Sequence, residues 1–173
     1  MLSPDALRRI DSEVAKYPHD QRQSAVMSAL AIAQDERGWL PVDAMDEVAR
    51  ILGMPPVAVY EVATFYAMYN TQPTGRFKLT ICTNLPCALQ GAAAAAEHLK
   101  ERLGVPFNGT TPDHAFTLKE GECFGACGDA PVVLVNNKRM CTRMEADALD
   151  ALLDELRAAA ARGEGTPQEG EHA

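Results

Sequence analysis

Residues 77–103 read FKLTICTNLPCALQGAAAAAEHLKERL. The first six alternate apolar and polar side chains, the period of a short strand. Residues 88–103 are alanine-rich and read as a helix. Cys82 ends the strand, and Cys87 follows Pro86 where the helix begins. Downstream, residues 114–118 read as a second strand. Pro131 precedes VVLV, a short apolar run that reads as a buried strand. Asn136 and Asn137 make a turn, and residues 138–142 return as its hairpin partner. Leu149, Leu152, Leu153 and Leu156 mark a last helix.

The order β-α-β-β-β-α predicts an α/β domain over residues 74–160, with a small mixed sheet and helices packed on it, thioredoxin-like in outline. The 35-residue gap between the two cysteine pairs holds a crossover helix and a strand. That is the length a β-α-β unit needs, so both cysteine loops can share one end of the sheet.

Upstream, residues 1–73 read as an N-terminal helical bundle. Ser3-Pro4 has the cap-then-proline form of a helix start. Leu7, Ile10 and Val14 repeat at helical spacing, and Pro18 ends that helix. A second helix is expected over 21–37, with Gly38 as its cap. A third begins near Asp43 and closes at Gly53, and a fourth follows Pro55-Pro56. Val59, Val62, Ala63 and Tyr66 share one face, so most of VYEVATFYAMY should be packed. NTQPTGR, residues 70–76, is turn material and marks the boundary. The polar, glycine-rich tail, 161–173, is expected to be disordered.

The chain has 173 residues, 47% of them apolar, enough for a real core, and a net charge of -8. That charge disfavours nucleic acid, whose phosphates need surplus Lys and Arg. No apolar run is long enough to cross a bilayer, and the first residues lack the apolar stretch of a secretory signal. A reducing bacterial cytoplasm is the expected compartment. There is no G-x-G-x-x-G and no Walker motif, hence no evident nucleotide site. A chain without a substrate site of its own is expected to work with partner proteins.

Cys82 and Cys87 form a C-x4-C pair, and Cys123 and Cys127 a C-x3-C pair in EGECFGACGDAP. Four thiolates that a fold brings together suffice for a binuclear iron–sulfur cluster. The start of a helix favours a thiolate at Cys87. Gly121, Gly125 and Gly128 are expected to let the second loop turn tightly. A structural zinc site, in a zinc-stabilised interaction protein, competes for the same ligands. A redox dithiol is a weaker competitor, since neither pair is C-x-x-C. Cys141 is the spare, read as a buried thiol ahead of a ligand or reactive one. His19, His98, His114 and His172 are scattered and form no ligand spacing. Glu120, Glu122 and Asp129 are plain loop acids, or they tune the cluster or face a partner. Glu61 has no catalytic companion in sequence. Phe65, Tyr66 and Tyr69 are expected in the core, with a few free for an interface.

The stretches QDERGWLP (34–41), EVATFYAMYNTQPTGRFKLTICTNLPC (61–87) and LKEGECFGACGDAPVVLVN (118–136) resemble the E-type subunit family of NADH–quinone oxidoreductase, respiratory complex I. All four cysteines match in order and context, and the resemblance spans about residues 3–158. It implies a thioredoxin-like [2Fe-2S] domain behind a helical extension, with Cys82, Cys87, Cys123 and Cys127 as ligands to one [2Fe-2S] cluster and no role for Cys141. It implies an electron-transfer subunit of an enzyme, with no complete active site on this chain. The implied partners are a flavoprotein subunit that binds FMN and NADH and the other iron–sulfur subunits, in a peripheral arm on the cytoplasmic side of the membrane. In that family the cluster lies near the flavin but off the main path to quinone. Similar subunits serve NAD-linked hydrogenases and formate dehydrogenases, and the cysteine pattern does not separate them.

Overall fold

The computed structural model describes residues 1–166. They pack as two compact units, Met1–Pro73 and Thr74–Thr166. Among them, no helix is long and apolar enough to cross a membrane. Of the tail expected to be disordered, residues 167–173 lie outside the described residues. Ala161 closes the last helix, and the Thr166 N–H donates to the Arg76 carbonyl at 2.8 Å.

The first unit holds four helices: α1 (Pro4–Val14), α2 (Val26–Arg37), α3 (Val42–Leu52) and α4 (Pro56–Phe65). Ser3 caps α1, its hydroxyl accepting the Ala6 N–H at 3.1 Å. Gly38 and Gly53 close α2 and α3 in the left-handed conformation. α2 packs against α1, α3 and α4, with Ile10, Leu30, Leu40, Met45 and Val48 fully buried at the centre. The helix expected from residue 21 starts instead at Val26, after a 3-10 turn over His19–Ala25. HDQRQS in that turn has no apolar stripe to bury, so nothing draws it into an α-helix.

The aromatic run also differs from expectation. Tyr69 is buried and donates its hydroxyl to the Met27 carbonyl at 2.8 Å, whereas Phe65 is 80% exposed and Tyr66 39%. α4 ends at Phe65, so the helical stripe that would have carried Tyr66 inward stops there.

The second unit is a four-stranded mixed sheet in the order β2-β1-β3-β4. Its strands are β1 (Phe77–Cys82), β2 (Phe116–Gly121), β3 (Val133–Val135) and β4 (Arg139–Cys141). β1 runs parallel to β2 and antiparallel to β3, and β3 pairs antiparallel with β4. The β3–β4 hairpin turns through Asn136 and Asn137, both at positive φ (50° and 57°), as a type I′ turn requires. The helix expected over 88–103 is split into α5 (Leu85–Ala88) and α6 (Ala92–Leu103), with Gly91 at φ 93° between them. α6 packs on β1 and β2. The leucines of α7 (Ala146–Ala161) join Leu79, Ile81, Leu99 and Leu118 in one buried cluster.

β1 departs from simple alternation. Lys78 (3% exposed) is covered nearly as fully as Leu79, and Thr117 beside it on β2 is covered too. The strand is central and both its faces are buried. The second strand starts two residues later than expected, because His114 sits in a turn at φ 54°.

Candidate metal centre

β1 delivers Cys82 to one end of the sheet. The chain then bends through Thr83 and Asn84 into α5, whose third residue is Cys87. Both thiols are buried, at 1% and 2% exposure, in a small cluster with Ala92 and Val132, against which Phe124, Ala126 and Ala130 pack. The second loop leaves β2 at Gly121, directly opposite Cys82 in the parallel register. It exposes Cys123, half-buries Cys127 and returns into β3.

Burial first, then the hydrogen bond with Cys82 and the charges of Cys82, Cys127 and Cys123, push the Cys87 thiol up to about 11. In the metal-free chain this works against the thiolate that the start of α5 favours. α5 is only four residues long, and burial among other thiols outweighs its end. Cys127 is pushed up too, first by its hydrogen bond with Cys123, then by burial and the charges of Cys123 and Cys82. Each pair is in mutual contact, and the pairs feel one another's charge.

Two backbone features shape the second loop. A Cβ at Gly121 would fall 2.7 Å from Thr80 Cγ2 and against the Phe124 ring, so only glycine lets that ring close over the loop. Gly125 takes φ 77° and donates its N–H to Cys123 Sγ at 3.4 Å. Gly128 was expected to be constrained as well, yet it has open space around it and no left-handed φ.

The other candidates separate cleanly. Cys141 lies in β4 within the main sheet core, apart from the Cys82–Cys87 cluster, and burial pushes its thiol up. Glu120 accepts the Thr83 hydroxyl at 2.7 Å, and Asp129 pairs with Arg143 at 2.9 Å. His98 Nε2 meets Asp150 at 2.9 Å. His19 and Glu61 are exposed, and His172 lies outside the described residues. Gln90, which sequence reasoning passed over, donates to the Cys127 carbonyl at 2.6 Å. A lone glutamine in a turn carries no sequence signal for such a contact.

Among the described residues, no group of three or more His, Cys, Asp or Glu side chains is gathered to hold one metal ion. The donors come instead as two thiol pairs on two loops. A [2Fe-2S] cluster takes four cysteine thiolates spread over two irons, a donor set that these pairs fit.

Residues 10–157 match the thioredoxin-like [2Fe-2S] ferredoxins. The chain belongs to that family. Within it, the chain is 49% identical over 150 residues to the second E-type subunit of NADH-quinone oxidoreductase in Rhizobium meliloti, covering 87% of this chain and 88% of the relative. It is 38% identical over 149 residues to NADH-quinone oxidoreductase subunit 2 of Thermus thermophilus, covering 86% and 82%. Among solved structures, an NAD+-reducing [NiFe]-hydrogenase in its H2-reduced state aligns with a TM-score of 0.65 at 26% identity. The alignment covers 75% of this ferredoxin-family chain but only 22% of the hydrogenase chain.

Proposed function

We propose that this chain is the one-electron-transfer [2Fe-2S] subunit of the NADH dehydrogenase module of an NADH–quinone oxidoreductase. Cys82, Cys87, Cys123 and Cys127 hold the cluster. Its partners are a flavoprotein subunit that binds FMN and NADH and the other iron–sulfur subunits, in a peripheral arm on the cytoplasmic side of the membrane. The observation that carries the reading is the near full-length match to the E-type subunit of such an oxidoreductase, 87% of this chain against 88% of the relative.

When bound, a [2Fe-2S] cluster accepts and returns one electron at a time. The chain's own residues supply the setting for it. The thiols of Cys82 and Cys87 are held out of water beneath Phe124, Ala126 and Ala130. The exposed Cys123 leaves one side of the site open toward a partner. The Gly125 N–H is aimed at the Cys123 sulfur, where such a bond stabilises negative charge.

The chain would be purified anaerobically and assayed for iron, zinc and sulfide, with EPR spectra before and after reduction by dithionite. Two irons and two sulfides per chain, with a paramagnetic signal on reduction, support the reading. One zinc and no sulfide would overturn it in favour of a zinc-stabilised interaction protein.

A second reading, the equivalent subunit of an NAD-linked hydrogenase or formate dehydrogenase, draws on the hydrogenase alignment. Co-purification from the native host separates the two, by whether the flavoprotein recovered travels with quinone reductase or with hydrogenase or formate dehydrogenase activity.

A further inference from the structure

The two cysteine pairs sit on loops that no covalent bond joins. Each pair is local in sequence, whereas the meeting of the pairs is purely tertiary. The strand ends do part of that work. The Cys82 N–H donates to the Val132 carbonyl at 3.0 Å, and the Thr83 N–H to the Gly121 carbonyl at 3.2 Å. The Thr83 hydroxyl donates to Glu120 Oε1 at 2.7 Å. These bonds act at the roots of the loops. Cys127 lies six residues beyond Gly121, past an exposed cysteine and the left-handed Gly125, where the strand ends exert little control.

Beside the apolar packing of Phe124, Ala126 and Ala130 on the Cys82–Cys87 cluster, two polar contacts among the described residues reach that distal stretch. Arg143 clamps Asp129, its backbone N–H donating to the Asp129 carbonyl at 2.8 Å and its guanidinium to Asp129 Oδ1 at 2.9 and 3.1 Å. Gln90, in the turn between α5 and α6, donates Nε2 to the Cys127 carbonyl at 2.6 Å. The Gln90 bond alone of these two ties the element that carries Cys87 to the backbone of a cysteine in the other loop.

We propose that Gln90 is a positioning residue for the cluster. Its amide holds Cys127 against the α5 turn, so that the two thiol pairs stay at one fixed separation. The inference rests on the cluster reading above and deepens it. Removing the donor leaves the Cys123–Cys127 loop held by its base, by the Asp129 clamp and by the packing of Phe124, Ala126 and Ala130, with no hydrogen bond from the α5 turn. The loop then opens more often, and each opening exposes the cluster to solvent and to chelators.

Gln90 is exposed and borders a cavity of about 380 Å³ shared with Ala94, His98 and Pro131, so replacements meet no wall. Gln90→Leu removes the donor at similar size. Gln90→Lys keeps an N–H donor on a long side chain. The full chain and both variants would be reconstituted anaerobically with iron and sulfide. Iron release to a ferrous chelator would be timed, the EPR signal of the reduced state compared, and urea unfolding of the metal-free chains measured. Loss of one neutral hydrogen bond predicts release roughly two- to tenfold faster from Gln90→Leu. Gln90→Lys should stay close to the wild-type rate, and the metal-free stability of Gln90→Leu should fall by no more than the loss of that one hydrogen bond. Equal release from Gln90→Leu and wild type overturns the proposal, as does equally fast release from the two variants. A wild-type chain that takes up no sulfide overturns the cluster reading itself, and the inference with it.

Discussion

Cys82, the last residue of β1, lies directly opposite Gly121, the last residue of the parallel strand β2. Parallel pairing sends both chains out of the sheet at the same end, so the loop to Cys87 and the loop through Cys123 and Cys127 begin side by side. The register, more than either cysteine motif, brings four thiols from two distant segments into one electrostatic neighbourhood.

Serine at any one of Cys82, Cys87, Cys123 or Cys127 should abolish or strongly destabilise the cluster, because a hydroxyl is a poor substitute for thiolate at iron. Cys141→Ser should keep full iron and sulfide, since Cys141 packs in the separate sheet core. Metal and sulfide analysis of the five variants decides it. Full cluster content in Cys123→Ser would remove that residue from the ligand set.

In the metal-free chain, Cys123 should be alkylated first by iodoacetamide, since it is exposed while Cys82, Cys87 and Cys141 are buried. Peptide mass mapping over a time course gives the order. Early labelling of Cys87 would contradict both its burial and the raised thiol described above.

Gly121→Ala should cost about 1–3 kcal/mol, because its new methyl meets Thr80 and the Phe124 ring in a packed corner. Gly128→Ala should be nearly neutral, with open space and no left-handed backbone to strain. Urea denaturation of the pair reads the contrast directly. Equal stability of the two variants would show that the corner beneath Phe124 yields.

Lys78 is held down to about 8 by burial, with Lys119 adding repulsion, against an ordinary value of about 10.4. Between those values Lys78 binds more proton in the unfolded chain than in the folded one, so its own contribution to stability rises with pH across that window, against the opposite contribution of the raised thiols of Cys87, Cys127 and Cys141. Below about pH 8 the full cost of the buried ammonium is present. Lys78→Met should therefore stabilise the chain at pH 7 by about 1–3 kcal/mol, and this advantage over wild type should shrink between about pH 8 and 10. Melting temperatures of wild type and variant that keep a constant difference over that range would show that Lys78 does not carry this pH dependence.

Much of the architecture was legible in local pattern. The apolar alternation of FKLTIC located β1, Ser3-Pro4 located the start of α1, and Asn136-Asn137 located the hairpin. Each of these rests on the residues themselves. What escaped was set by neighbours. Phe65 and Tyr66 are aromatic and still lie exposed, because α4 stops before its stripe can turn them inward. Lys78 is charged and still buried, because β1 is central and covered on both faces. The break at Gly91 went unread because the alanines around it favour helix on either side.

By itself, the sequence determined which residues can bind: two pairs of soft thiol donors in loops between regular elements, and a family resemblance strong enough to name their cluster. Those are properties of residue type, spacing and order along the chain. Only the tertiary structure decided how the donors meet. The parallel register of β1 and β2, the Gln90 bond to Cys127 and the approach of Thr80 to Gly121 each join residues about 40 positions apart, and the burial that raises Cys87 depends on what packs around it. Contacts of that kind have no local signature, because their energy exists only once the chain has folded back on itself.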